Sequence, residues 1–405
     1  MSRAGGVAHP RQRIVLCGGA YSDNFGDGII ADCLEYGLRR QVPEMHTVKM
    51  DISGRLDHGD GGFGQKAGTQ RLLKLIPHAA GRYVILLAGS LYVKRVVEPN
   101  WRRIIEPHDA VVVGGGQLFQ DEHLNFPVKM WQLGRTLRRN NCQTLVYAVG
   151  VDRNWSPLGR RLFLSMFRNA QPTYCSVRDD ASKRNLLTHV PYLRSGGVEI
   201  DPDPALLADA TYGVSRASSS EFDVGIGIMD PWTLRVDVRQ KNTDVTAVAR
   251  RWSLLIGALL DADLSVALFT NGAREDEDFV RRLHRDVGRR PRLAVLERPG
   301  SAAAYVANLS RMHCVLAHRL HASIVSYALG IPSLGLRWDP KVESFYSLCE
   351  REEWVVDFAT RPVDELAAKV QDLLRASLDP AVRAAVIAQC DAGVERLAAQ
   401  LRSLS

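Results

Sequence analysis

No apolar stretch in this chain approaches the ~20 residues that a membrane-spanning helix needs; the longest, such as Tyr83–Ala88 and Ala110–Val113, are short. The seven cysteines are odd in number and scattered, with no Cys-x-x-Cys pair. That argues against a disulfide framework or a structural zinc and for a reducing, cytoplasmic compartment. The start, MSRAGGVAHPRQR, lacks the apolar core of a secretory signal. A Walker A loop, H-E-x-x-H, an EF-hand loop and a G-x-S-x-G elbow are all missing, and no internal repeat is visible. Gly59–Gly64 (GDGGFG) matches G-x-G-x-x-G by count, but it lies in the polar loop Gly54–Thr69 and neither follows a strand nor opens a helix. The net charge of +7 is too thinly spread for a nucleic-acid binder. It suits an anionic small substrate or a peripheral contact with an acidic membrane face, such as the inner face of the cell membrane.

What is present reads as two α/β domains. A chain of 405 residues exceeds one usual core. After a loose tail (1–10), Arg13–Cys17 is a short apolar run, and Gly28–Arg40 has helical spacing. Buried strands are expected at Tyr83–Leu87, Ala110–Val113, Thr144–Val149 and Tyr174–Val177, with helices at Trp131–Arg139 and Leu158–Asn169. A Ser-rich connector (213–221) follows, and the alternation restarts at Phe222–Ile228. Alternating strands and helices imply parallel, doubly wound sheets. The expected division is a Rossmann-like domain over 11–212, a linker over 213–221, a second such domain over 222–378 and a C-terminal helix over 379–405. That helix carries Val382, Ala385, Val386, Ala388, Val394, Leu397 and Leu401 on a packing face or a homo-oligomer contact.

Ligands of open α/β sheets bind beyond the carboxyl ends of the strands. Just there, after Cys314–Ala317, stand Arg319, Leu320 and His321, ahead of a helix that ends at Gly330. If the piece stays extended, Arg319 and His321 point the same way. A cation and an imidazole at the start of a helix make an anion site with a proton donor. The alternative is that Arg319 pairs with a surface carboxylate and His321 caps the helix. His313, His318 and His321 are neighbours, but no acidic partner stands near them at ligand spacing, which argues against zinc. Arg178, after another strand, offers a planar fork for a carboxylate or phosphate, while Asp179 or Asp180 suits a helix cap. Val111–Asp121 (VVVGGGQLFQD) and Gly18–Asp27 (GGAYSDNFGD) place glycines where a ligand approaches the backbone.

Taken in order, Asn24–Asp27, Val113–Asp121, Ser176–Ser182, Asp201–Ala205, Arg319–Ala322 and Ala328–Phe345 resemble the polysaccharide pyruvyl transferase family. The resemblance implies two Rossmann-like halves facing a cleft, as in glycosyltransferases of the B type. It also implies transfer of a pyruvyl group from phosphoenolpyruvate onto two hydroxyls of a sugar, in a cell-surface polysaccharide or its lipid-linked precursor, giving a ketal. By the resemblance, Arg178, Arg319, Leu320 and His321 bind the donor, and His321 also acts in catalysis. Lys341 is placed to neutralise the leaving phosphate, and Asp27 or Asp121 to serve as base. Asn24, Gly26, Gly115, Gly116 and Gln117 complete the expected binding surface. Phosphoenolpyruvate is the donor substrate, and the chemistry asks for no cofactor and no metal. The segment Gly150–Pro157, with Asp152, Arg153 and Trp155, departs from the Gly-rich loop of many relatives. Two rivals share the architecture: a nucleotide-sugar glycosyltransferase and a non-catalytic glycan binder. Against the first, Glu343 and Glu350 are one residue too close for E-x7-E.

Overall fold

A computed structural model describes residues 13–58, 86–121, 124–232 and 244–404. The tail over 1–10 and the GDGGFG loop therefore lie outside the described residues.

The apolar run at the start becomes β1 (Arg13–Gly18), and the helical spacing after it becomes α1 (Phe25–Gln41). Next come β2 (His46–Asp51) and a helical run over 86–104, π-helical at Val93–Val97 and ending in α2 (Glu98–Ile104). β3 (Ala110–Gly114), α3 (Asn125–Arg139), β4 (Gln143–Val149), α4 (Pro157–Ala170), β5 (Tyr174–Val177), α5 (Asp180–His189) and β6 (Glu199–Ile200) follow. They form one sheet in the order β2-β1-β3-β4-β5-β6, every neighbour parallel.

A short α6 (Ala208–Tyr212) precedes residues 214–221, which carry no helix or strand. The second sheet is built from β7 (Phe222–Gly227), β8 (Val266–Phe269), β9 (Leu293–Val295), β10 (Met312–Ala317), β11 (Ser333–Leu336) and β12 (Val355–Val356). Its order is β12-β11-β10-β7-β8-β9, again all parallel. Its helices are α7 (Val245–Asp261), α8 (Arg274–Val287), α9 (Ala302–Ser310), α10 (Leu320–Ala328), α11 (Pro340–Leu348) and α12 (Val363–Arg375).

Two expectations need correction. Tyr83–Leu87 is not a strand where it is described: Leu86 and Leu87 are helical. A short apolar run does not by itself distinguish a strand from a helix segment. On the final helix, α13 (Pro380–Arg402), Val386, Val394, Leu397 and Leu401 are buried but Ala385 and Ala388 are exposed. Its packing face is narrower than the pattern suggested.

That helix ties the two sheets together. Gly37 of α1 lets Val394 approach so closely that an added Cβ would lie 3.0 Å from it. Arg40 pairs with Asp391 at 3.3 Å, and Arg396 pairs with the buried Asp201. One face of the first sheet (Ile14, Leu16, Val112, Leu145, Tyr147) thus shares a continuous apolar core with the second sheet and its helices. Its other face (Val15, Cys17, Val111, Val113, Val146) closes under the helices from Val93 to Ala170. All seven cysteines are unpaired. Among the described residues, no helix is long and apolar enough to cross a membrane.

Candidate active site

The carboxyl ends of the two sheets meet at the start of α1. Asn24 caps that helix, its side chain accepting from the Gly26 N–H at 3.3 Å, and the Phe25 N–H donates to the Asn271 carbonyl of the second sheet at 2.8 Å. Gly26 has no room for a side chain, because a Cβ there would lie 2.6 Å from Nδ1 of His321. The imidazole thus rests on the first turn of α1, across the boundary between the sheets. On its other side, Nε2 faces Oδ2 of Asp203 at 3.5 Å. Asp203 belongs to the DPDPA segment, and its Oδ1 accepts the Ala205 N–H at 3.0 Å. Burial alone would push its pKa up, but His321, the Ala205 N–H and Arg178 outweigh that and hold the carboxyl below its usual range.

Arg178 is itself buried, at the carboxyl end of β5. Its guanidinium donates to Gln117 Oε1, and its Nε lies 3.3 Å from Asp179 Oδ2. Gln117 in turn donates from Nε2 to Asp152 Oδ1 at 2.5 Å. Asp152 also feels the charges of the opposite sheet. Its pKa is raised, first by burial and then by Asp339, with Gln117, Lys341 and Arg178 pulling the other way. Lys341 stands in the first turn of α11, 4.1 Å above the Trp338 ring and 3.6 Å from Asp339. Two cations from opposite sheets, Arg178 and Lys341, therefore act on one carboxylate, and Arg178 also acts on the partner of His321.

The Gly-rich turn supports this side of the gap. Gly115 has φ +74°, and a Cβ there would sit 2.1 Å from Ile30, so only glycine fits. Gly116, with φ +73°, lies beside Asp27. Among the described residues, the half-buried Asp27 carboxylate has no hydrogen-bond or ion-pair partner. Asp121 is engaged elsewhere: it accepts the Ser156 N–H at 2.6 Å and crowds Gly159 in the first turn of α4. It holds that helix start in place.

Arg319 corrects an expectation. The chain does not stay extended through Arg319-Leu320-His321: Arg319 is the N-cap and α10 begins at Leu320, which turns into the core. The Arg319 guanidinium swings to the fully buried Asp276, with Nε at 3.0 Å and Nη2 at 2.8 Å. Burial raises the Asp276 pKa despite Arg319 and the Asp230 N–H. Arg319 thus pairs with a carboxylate, as its alternative reading had it, but a buried one. The histidine trio also separates. His318 is buried edge-on to Trp252 and Phe358, and burial with the neighbouring Arg319 pushes it down to about 3. His313 bonds the Leu374 carbonyl, and only His321 reaches an acid, one supplied from far along the chain. Trp155 packs inward on Phe163 and His189 and donates to the Phe119 carbonyl. Asp179 is a cap, accepting the Ser182 N–H at 2.7 Å. Asp203 and Asp276 escaped the sequence reading as partners, although Asp203 lies inside a motif already singled out there.

Two parallel six-stranded sheets whose carboxyl ends meet at such a site define an α/β protein of the glycosyltransferase-B type. Solved structures agree on the fold. The UDP-GlcNAc 2-epimerase of Methanocaldococcus jannaschii is 10% identical, with 97% of this chain and 100% of that chain covered, at a TM-score of 0.54. A putative UDP-N-acetylglucosamine 2-epimerase of Listeria monocytogenes is 12% identical over 98% and 96%, with a TM-score of 0.53. No curated protein matches the sequence. The family model for polysaccharide pyruvyl transferase matches residues 24–340, and the chain belongs to that family.

Proposed function

We propose that the protein transfers a pyruvyl group from phosphoenolpyruvate to two hydroxyls of a sugar, in a cell-surface glycan or its lipid-linked precursor, on the cytoplasmic side. The observation that carries this reading is the His321–Asp203 pair, 3.5 Å apart and formed across the two sheets, with Arg178 acting on the same carboxylate. Phosphoenolpyruvate brings a carboxylate and a phosphate, and Arg178 and Lys341 answer them from opposite walls. Arg319 is anchored by Asp276 and serves as a fixed positive charge at the start of α10 rather than as a movable clamp.

In this scheme Asp203 orients the imidazole through Nε2, and His321 protonates C3 of the enol. C2 becomes electrophilic. The first sugar hydroxyl adds to C2 while Asp27 takes its proton. The second hydroxyl then displaces phosphate from C2, closing the ketal, and its proton leaves with the phosphate. The imidazole regains a proton as Asp27 gives one up.

The test is incubation with phosphoenolpyruvate and a panel of lipid-linked or nitrophenyl sugars, read by mass spectrometry for added pyruvate. His321→Ala lowers phosphate release by about 10²- to 10⁴-fold, the usual contribution of a positioned general acid. Circular dichroism checks that this variant stays folded. Undiminished turnover in it overturns the proposal. Calorimetric binding of uridine or guanosine nucleotide sugars in place of phosphoenolpyruvate favours a glycosyltransferase instead.

A further inference from the structure

Leu87, Leu91 and Val96 are among the most exposed large apolar side chains of the described residues, at 71%, 48% and 48%, and they all belong to one helical run. Leu87 and Leu91 are four residues apart, and Lys94 and Arg95 continue the same stripe, so they share a face. Both cations are exposed, and among the described residues neither has a carboxylate partner. Between 86 and 105 the one acidic residue is Glu98, which is buried and bonded to Arg102 and Gln132. This face is therefore apolar and positive, with no exposed negative charge.

Its place in the fold matters too. The Ile104 carbonyl meets Arg13 at the start of β1, while Val97 packs on Gly54 just beyond the end of β2. The run is thus antiparallel to the strands. Its upstream part continues past the carboxyl edge of the sheet, so that Leu87 lies about 15 Å beyond Val97 along the axis. That is the edge at which His321 meets the start of α1.

We propose that this face docks the protein on an anionic phospholipid surface, with Leu87 and Leu91 entering the headgroup boundary and Lys94 and Arg95 meeting lipid phosphates. The proposal stands independently of the reaction assigned above. The test is flotation of the full chain with vesicles of phosphatidylcholine alone and of phosphatidylcholine and phosphatidylglycerol in equal parts. The wild type floats with the anionic vesicles at least about tenfold better than with the neutral ones. Lys94→Glu with Arg95→Glu loses at least about 30-fold of that binding. Leu87→Ser with Leu91→Ser loses binding as well, with unchanged thermal melting. Arg281→Glu with Arg285→Glu, on the basic face of α8, leaves flotation unchanged. Equal flotation on both vesicles, none on either, or an equal loss in the α8 variant overturns the proposal. So does a leucine variant that keeps its vesicle binding but turns a dimer into a monomer in sedimentation, which assigns the face to a second copy of the chain.

Discussion

Arg319 and His321 stand two residues apart, yet they end in opposite circumstances. Arg319 closes on Asp276 inside its own half of the molecule, while His321 reaches across to Asp203 in the other half. The first pair is bidentate from the guanidinium side and sits on a fully buried carboxylate. The second is longer, at 3.5 Å, and among the described residues neither His321 Nε2 nor Asp203 Oδ2 makes a hydrogen bond. A tight buried pair fixes structure. A looser pair at the boundary between the sheets leaves its buried polar atoms less fully satisfied. The difference teaches that the R-L-H segment divides its labour: one side chain anchors the start of α10 and the other faces the chemistry.

The largest effect that sharpens this contrast is on stability. Arg319→Ala leaves Asp276 buried without its cation and costs about 3–5 kcal/mol, read as a lowered Tm. His321→Ala lowers Tm far less while removing turnover. The double variant Arg319→Met with Asp276→Leu recovers most of the lost stability, since an apolar pair is often tolerated where an ion pair was buried. Equal Tm losses in the Arg319 and His321 single variants break the contrast.

Next comes Gly26→Ala. The new Cβ would press on the imidazole at 2.6 Å. A displacement near 1 Å costs about 100-fold in turnover, and His321 and Asp203 stay chemically intact. Wild-type kinetics in this variant would mean that the imidazole position is immaterial.

Smaller again are two opposite pH dependences. Asp203 has a depressed pKa, so its stabilisation is present above the unfolded value of about 3.9 and fades as pH falls through the lower folded value. Asp276 has a raised pKa, so the folded state binds the extra proton, and its contribution to stability falls as pH rises from the unfolded value through the folded one. Denaturant titrations of Asp203→Asn and Asp276→Asn across acid pH should therefore alter the stability profile in opposite directions. Least of all, Glu343→Gln removes a half-exposed pair with Arg337 at 2.9 Å, worth about 0–1 kcal/mol, and leaves Tm and turnover near wild type.

Much of the fold was legible because buried parallel strands are short and apolar and end at a polar or glycine-rich loop. β3, β4, β5, β10 and β11 all announce themselves this way. β2 did not: HTVKMD is polar because it is an edge strand, with Lys49 held by Asp32 and Glu35 of α1 at 2.5 and 2.8 Å. The run over 86–104 misled for the converse reason, since its apolar side chains are partly exposed on a helix. At the site, residue types after strands pointed to Arg178, Arg319, His321 and Lys341, and the glycine turn to Gln117.

Local order along the chain thus determined two parallel sheets, their strand-end loops and the residue types those loops carry, because periodicity and turn chemistry act within a few residues. Which acid meets which base was decided only in three dimensions. Asp203 stands far from His321 in sequence, as Asp276 does from Arg319, and no spacing rule joins them. His321 and Asp203 meet because α1, α13 and the DPDPA turn pack the two sheets against each other, and Arg319 and Asp276 because the starts of α8 and α10 lie together at the second sheet; burial then leaves each charge no lower-energy partner than the one opposite.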